Sequence, residues 1–395
     1  MEEWKEIRLI DLLETLIDYR GKTPRKTTKG IPLITAKIVK NGRIDKPNEF
    51  ISVDDYSSWM VRGYPKVGDV VLTTEAPMGE VAQIEDANVA LAQRIVTLRG
   101  KEGILDNTYL KYFLMSNKGQ QKLKARETGT TVVGIKQAEL REILVDCPPY
   151  NYQLKIASIL KSLDDKIENN RKINENLEQQ AQALFKSWFV DFEPFRDQPF
   201  VESELGMIPE GWRVGTLSEI AEYSKSRISI KDIDTQTYVS TENMLANKQG
   251  ITEASGLPNV ENVTRFEIGD VLISNIRPYF KKLHYCNHIG GCSGDVMCFH
   301  PLSKEYRGYL YCSLYDDVFF DYVMSGTKGT KMPRGDKRQI MNYRIIIPSN
   351  SIINQFNNYV LLLLSQIDNN RKQSRRLSLL RDTLLPKLMS GKIKL

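Results

Sequence analysis

Between Gln153 and Trp188, apolar residues stand at Ile156, Leu160, Leu163, Ile167, Leu177, Ala181, Leu184 and Trp188. The steps alternate between four and three, with the polar residues Asn170 and Asn174 filling the two intervening places. That is a heptad seam, the pattern of a helix that faces another helix. Pro148 and Pro149 precede the stretch and Pro194 follows it, so one long helix bracketed at both ends is predicted. Its 36 residues would extend about 54 Å at a rise of about 1.5 Å each. A second stretch, 351–390, carries the same seam at Val360, Leu363, Ile367, Leu377, Leu384 and Leu388. There Pro386 is expected to kink the helix or end it early, and Gly391 is a natural stop. Lys387, Lys392 and Lys394 suit the negative end of the helix dipole.

Before each helix the pattern changes to short β-type runs among turn residues. Ile31–Thr35, Val70–Thr74 and Ile143–Val145 read as strands in the first such stretch, with Asn41-Gly42 as a turn and Tyr109–Leu114 and Gly119–Arg126 helical. Val271–Ile273, Val296–Phe299 and Arg344–Ile347 read as strands in the second. The fold class is therefore α+β. Residues 1–150 form one mixed domain, 151–190 a long helix, 191–211 a linker marked by Pro194, Pro199, Gly206, Pro209 and Gly211, 212–350 a second mixed domain, and 351–395 the second helix.

The two halves are copies of one another. Ile167-Glu-Asn-Asn-Arg-Lys172 returns as Ile367-Asp-Asn-Asn-Arg-Lys372, Gly129 and Pro148 return as Gly329 and Pro348, and Val67-Gly-Asp-Val-Val71 is echoed by Ile268-Gly-Asp-Val-Leu272. Trp4 with Leu9 is echoed by Trp212 with Leu217. A doubled chain can carry a pseudo-twofold axis. If that axis is perpendicular to the helices, they pair antiparallel and residue n lies opposite residue n+200 near it. Asn170 and Asn370 then share one seam register. They either form a buried polar pair that fixes alignment or face solvent where the seam opens.

With 395 residues, 41% hydrophobic and 26% charged, the chain can bury more than one core and has the balance of a globular protein. No apolar run approaches the roughly 20 residues that cross a bilayer, so no membrane role is expected. Met1-Glu-Glu-Trp4 has no basic region leading to an apolar one, and five cysteines are few for the length. A cytoplasmic protein with reduced thiols is expected. The net charge of +6 is mild, but its distribution is not even. Nine cations crowd Arg20 to Lys46 against the one acid Asp45, among them Arg20, Lys22, Arg25, Lys26, Lys29 and Lys37, with Thr23 and several glycines between. Lys225 and Arg227 occupy a comparable place after Trp212, and Asn275, Arg277, Tyr279, Lys281 and Lys282 follow. The string Lys328, Lys331, Arg334, Lys337 and Arg338 is the counterpart of Gly129–Gln137, which holds Lys136 and Gln137. One charge cluster is usually a solvated face. Clusters repeated at equivalent places in two domains point to nucleic acid, with Thr73 and Thr74 as further hydroxyl candidates.

Other constellations carry less. Asp146-Cys-Pro-Pro-Tyr150 is reminiscent of the Asp-Pro-Pro-Tyr motif of adenine amino-methyltransferases, but Cys147 is a poor acceptor and no glycine-rich loop for S-adenosylmethionine precedes it. Two prolines ending a strand and starting a helix explain it. His284, Cys286, His288, Cys292, Cys298 and His300 lack a C-x2-C knuckle, and the first half has no counterpart, so no metal is expected. Cys298 and His300 are expected on a strand. No catalytic constellation and no phosphate-binding loop are found.

Gly30-Ile-Pro-Leu-Ile-Thr35, Val67–Val71 followed by Thr73, Thr74 and Gly79, Gly129-Thr-Thr131 leading to Pro148-Pro149, Leu184–Phe189 and Ile208-Pro-Glu-Gly-Trp212 occur in an order that resembles the specificity subunit of type I restriction–modification enzymes. The resemblance covers essentially the whole chain; Tyr152-Gln153 departs from the family's frequent Glu-Gln. It implies a non-catalytic reader of double-stranded DNA. Each target-recognition domain would read one half of a split sequence, and the paired helices would set the unspecified spacer. Two modification subunits that bind S-adenosylmethionine would dock on the helices, and two restriction subunits that use ATP and Mg would complete the complex. No cofactor is implied in this chain. Leu184, Phe185, Trp188 and Phe189 are more apolar than a surface helix needs, so they either dock a partner or pack on the chain's own second domain. Two rival readings are an autonomous adenine methyltransferase and a coiled-coil nucleic-acid-binding adaptor.

Overall fold

The computed structural model describes residues 4–129, 133–327, 329, 331–393 and 395. Two compact units emerge: Met1–Glu168 with Ser374–Leu395, and Asn169–Gln373. Each unit takes part of both long helices, Tyr150–Phe189 and Asn350–Met389, because the apolar stripe of each helix is shared between two cores.

In the first unit a four-stranded antiparallel sheet has the order Leu13–Asp18, Ile95–Gly100, Val70–Thr74, Met78–Gln83. Every residue of Val70–Thr74 is buried, as expected of a central strand covered on both faces. Helix Asn107–Met115 covers the sheet, its Asp106 cap accepting from Tyr109 N. Helix Asn117–Lys124 follows, capped by Ser116. A smaller sheet joins Phe50–Ile51, Ile31–Ile34 and Ala90–Leu91, the last two parallel with Leu33 opposite Ala90. Strand Lys5–Arg8 pairs with Leu144–Cys147 and so ties the chain's start to the entry of the first long helix.

Pro149 O accepts from Tyr152 N and Gln153 N, so the proline pair opens that helix. Gln153 is buried there, accepting from Asp106 N at 3.0 Å and donating to Ile104 O and Pro148 O at 2.9 Å. The second helix continues through Pro386, in its last turn, to Met389 rather than stopping early. Gly391, at φ 68°, makes the left-handed stop.

The second unit repeats the plan with the order Ala221–Tyr223, Val296–Pro301, Val271–Ser274, Leu283–Tyr285. Helices Arg307–Tyr315 and Asp317–Ser325 correspond to those of the first unit. Tyr238–Val239 pairs in parallel with Gly290–Cys292, matching the parallel pair in the other unit. Stretch 191–211 is folded rather than a bare linker. It holds a hairpin, Phe200–Ser203 with Gly206–Pro209, and anchors Phe195 and Ile208 in the core beside Trp212. Its turn residues mark the bends of the hairpin, and its apolar residues bind it to the unit.

The helices pair antiparallel within each unit. In the first, Arg381 Nη1 meets Asp164 Oδ1 at 2.8 Å; in the second, Arg371 Nη2 meets Glu178 Oε1 at 2.9 Å. Asn170 and Asn370 are both buried. Asn170 Nδ2 donates to Gln373 Oε1 at 2.8 Å and to Asn370 O at 3.4 Å, and Asn370 Nδ2 donates to Asn174 Oδ1 at 2.9 Å. The seam therefore crosses a polar layer at the place where residue n meets residue n+200.

Candidate nucleic-acid interface

In the first unit four segments meet beyond one end of the main sheet. Glu75, just past the strand Val70–Thr74, bridges Gly134, and Ile135 N donates to Thr74 O at 2.9 Å. Arg20, past Leu13–Asp18, donates from Nη2 to Ile135 O at 2.8 Å. Thr74 N donates to Arg94 O, and the Arg94 guanidinium lies 2.8 Å from Glu75. The second unit brings the equivalent segments together. Ile276 bridges Arg334, Arg277 N donates to Pro333 O at 2.9 Å, and Asn275 N donates to Asp295 O at 2.8 Å. Tyr223 OH donates to Lys337 O, and Arg334 pairs with Asp295 at 3.0 Å.

The expected contact residues divide by burial. Lys22, Thr23, Arg25, Lys26 and Lys29 lie exposed along the loop after Arg20, and Lys37 is exposed beyond it. Glu49 engages Lys26 at 2.7 Å and Lys37 at 3.9 Å, while Thr23 Oγ1 lies 3.3 Å from Gln93 Oε1. Lys136 is exposed before the short helix Gln137–Arg141, whose first residue Gln137 is half-buried. Lys225 is exposed and paired with Glu222 at 2.8 Å, and Arg227 donates to Asn262 O at 2.9 Å. Arg277 is half-buried, Lys331, Arg334 and Lys337 are exposed, and the Lys337 ammonium sits 5.5 Å from the Tyr223 ring centre. Lys328 lies outside the described residues, as do Thr130, Thr131 and Thr330.

Thr73, Thr74 and Asn275 are buried. Thr73 Oγ1 accepts from Glu80 N at 2.9 Å, and Thr74 and Asn275 hold neighbouring segments through their backbones. The expected docking patch is likewise interior. Phe185 and Phe189 are 9% and 2% exposed, packed on Tyr309 and Phe356 of the second unit, and Leu184 and Trp188 pack half-buried on the same core. Their apolarity serves the chain's own fold. Arg94, Tyr223 and Phe280 went unmarked in the sequence; Arg94 has φ 72°, which no composition signal reveals.

The remaining constellations are structural. Cys147 ends the strand Leu144–Cys147, and burial pushes its thiol up to about 12. Burial opposes ionisation of Asp146, but hydrogen bonds from Lys118 and Lys122 hold its carboxyl below the ordinary value. Cys298 and His300 lie on the strand Val296–Pro301, and both reach Asp270, His300 Nδ1 at 2.7 Å from Oδ1. Among the described residues no group of three or more His, Cys, Asp or Glu side chains could hold a metal, and no helix is long and apolar enough to cross a membrane.

Residues 1–179 match the family model described as type I restriction modification DNA specificity domain. The MjaIX specificity subunit of Methanocaldococcus jannaschii is 29% identical over 422 aligned residues, covering 100% of this chain and 94% of that one. The HindI specificity subunit of Haemophilus influenzae is 24% identical, covering 78% and 82%. The crystal structure of the type I restriction-modification S subunit from M. genitalium shares the fold, with a TM-score of 0.56 and 19% identity over 98% of this chain and 96% of that one. In its doubled mixed domain, its two long helices and an alignment to the MjaIX subunit along its full length, the chain is similar to the specificity subunits of type I restriction enzymes.

Proposed function

We propose that this chain is the non-catalytic DNA-recognition subunit of a type I restriction–modification complex. Residues 1–150 and 212–350 serve as target-recognition domains, each reading one half of a split sequence. The helical segments 151–190 and 351–395 set the unspecified spacer, and 191–211 links them. One observation carries this reading: in both units the same four segments meet beyond the same end of the same sheet, with cations exposed on them. A repeated scaffold with differing loops is what an approximately twofold duplex with two different half-sites requires. Lys22, Arg25, Lys29 and Lys136 take phosphates in one half, and Lys331, Lys337 and Arg227 in the other. Arg20, Gln137, Arg277 and Arg334, nearest the sheet ends, read base edges. The chemistry lies on partners: two modification subunits holding S-adenosylmethionine and two restriction subunits using ATP and Mg, all in the cytoplasm.

The test is a genome-wide map of N6-methyladenine by single-molecule sequencing, with the coding sequence intact and deleted. A split motif that vanishes on deletion is the expected result and supplies both half-sites. If every methylated motif survives deletion while the purified chain with its modification subunit binds no split sequence, the reading fails.

A further inference from the structure

The turn that follows the central strand Val271–Ser274 carries two adjacent aromatic side chains in the open. Tyr279 and Phe280 are 48% and 38% exposed, with ring centres 4.6 Å apart and planes at 52°. The equivalent turn of the first unit, Glu75-Ala-Pro-Met78, instead packs its apolar Met78 half-buried against that unit's own core. Burial therefore does not explain the rings of the second unit. An exposed apolar residue standing singly is ordinary, but a pair at the apex of a restrained turn is not.

The restraint is visible on every side. Arg277 and Lys281, either side of Pro278–Phe280, adopt left-handed backbone at φ 50° and 49°, a conformation that non-glycine residues adopt only when the surroundings impose it. Arg277 N donates to Pro333 O, Asn247 N to Phe280 O and Lys248 N to Lys281 O, each at 2.8–2.9 Å. The Lys248 and Lys281 ammoniums share the Asp317 carboxylate at 2.5 and 2.9 Å. The rings are thus held before any ligand arrives, so little ordering remains for binding to do.

The surroundings select the ligand. Arg277, Lys281, Lys282 and Arg334 lie on or beside the turn, and the nearby acids Asp317 and Asp295 are already engaged by cations. An aromatic face among cations suits a nucleobase flanked by phosphates better than an acidic or apolar protein surface. We propose that the turn Ile276–Lys282 intrudes on DNA and that Tyr279 stacks on a base of the half-site read by the second unit. This rests on the DNA-reading function proposed above. Phe280 backs the Tyr279 ring, and the first unit reads its half-site without such a wedge.

The full-length chain, co-purified with its modification subunit, is used to select from a random-sequence duplex library, comparing the natural protein, Tyr279→Ala and Tyr279→Phe, with urea unfolding of each chain recorded alongside. Selection of one split motif by the natural chain and by Tyr279→Phe is expected. Tyr279→Ala should keep one half and lose roughly tenfold or more of its discrimination in the other, with unchanged unfolding. If Tyr279→Ala selects both halves as well as the natural chain does, the wedge is refuted and the reading function stands. Uniform loss of both halves also refutes it. A variant that unfolds normally but no longer co-purifies with the modification subunit would make the turn a protein-docking element instead. If the natural chain selects no split motif, the function itself falls and the wedge with it.

Discussion

The joint between helices and recognition domain is built differently in the two halves, and that difference can be measured. In the first unit Asp164 of the first long helix accepts from Arg381 Nη1 at 2.8 Å, Tyr112 OH at 2.7 Å and Lys111 Nζ at 3.3 Å. The equivalent places in the second unit hold Leu364, Ala181, Cys312 and Tyr311, and Cys312 Sγ lies 3.9 Å from Ala181 O. At these places one copy is charged and the other mostly apolar, and the second copy carries its ion pair elsewhere, Arg371 with Glu178, which also accepts from Tyr315 OH at 3.3 Å. Asp164→Ala would strand the Lys111 ammonium, whose side chain is 9% exposed, while Arg381 keeps Asp382 at 2.8 Å. Removing one partner of a fully buried pair costs about 3–5 kcal/mol. Asp164 is 19% exposed and Arg381 retains a partner, so the lower end, about 3 kcal/mol, is expected. Urea unfolding of the full chain should show that loss, and hydrogen exchange should place it in helix Asn107–Met115. The triple variant Asp164→Leu, Lys111→Met, Arg381→Ala copies the apolar joint and should be neutral or more stable than Asp164→Ala by most of that amount.

Acid adds a second arm. Burial opposes ionisation of Asp164, yet Lys111, Tyr112 and Arg381 together hold its carboxyl below the ordinary 3.8. A depressed carboxyl contributes stability that is present above its unfolded pKa and lost as pH falls through its folded one. The gap between the natural chain and Asp164→Asn should therefore be full at neutral pH and close only below about 3.8. A loss under about 1 kcal/mol for Asp164→Ala, or a triple variant as damaged as the single one, would refute the network's role.

Phe189→Ala should destabilise the second unit by about 3–5 kcal/mol in urea, because Phe189 contacts Tyr309, Phe356 and Trp212 in its core; loss of partner binding without loss of stability would contradict this. Replacing Asn170 and Asn370 together by Leu should leave stability unchanged or raise it by up to about 2 kcal/mol, while hydrogen exchange reports looser helix register; a clear loss of stability would count against an alignment role. Lys337→Ala should reduce the slope of log affinity against log salt by about one without altering the selected motif, and a changed motif would make Lys337 a base reader. Inserting one heptad at equivalent points of both helices should lengthen the unspecified spacer and leave both half-sites intact, as read by methyladenine mapping; an altered half-site would oppose the spacer role.

What could be read from the chain alone followed the range of the signal. The heptad steps and flanking prolines located both helices because helix periodicity is local, and repetition located the second copy without any contact being known. Burial of Thr73 and Thr74 was hidden, since a Thr-Thr pair looks the same on a rim as in a central strand covered on both faces. Phe185 and Phe189 left docking and self-packing both open, because their partners Tyr309 and Phe356 lie more than a hundred residues away in sequence. The hairpin in 191–211 was masked by its own turn residues, which mark a bend equally well in a linker or a packed element.

Duplication separates what the scaffold needs from what recognition needs. Sheet order, the parallel strand pair and the helix entries recur in both units. Residues that meet beyond the sheet end differ between the copies: Gly134 stands where the other copy has Arg334, and Met78 where it has Tyr279. A chain that had only to bind DNA could keep both faces alike and read a palindrome. Divergence in those loops, on main sheets of the same strand order, is the arrangement expected of a subunit whose two halves read different sequences.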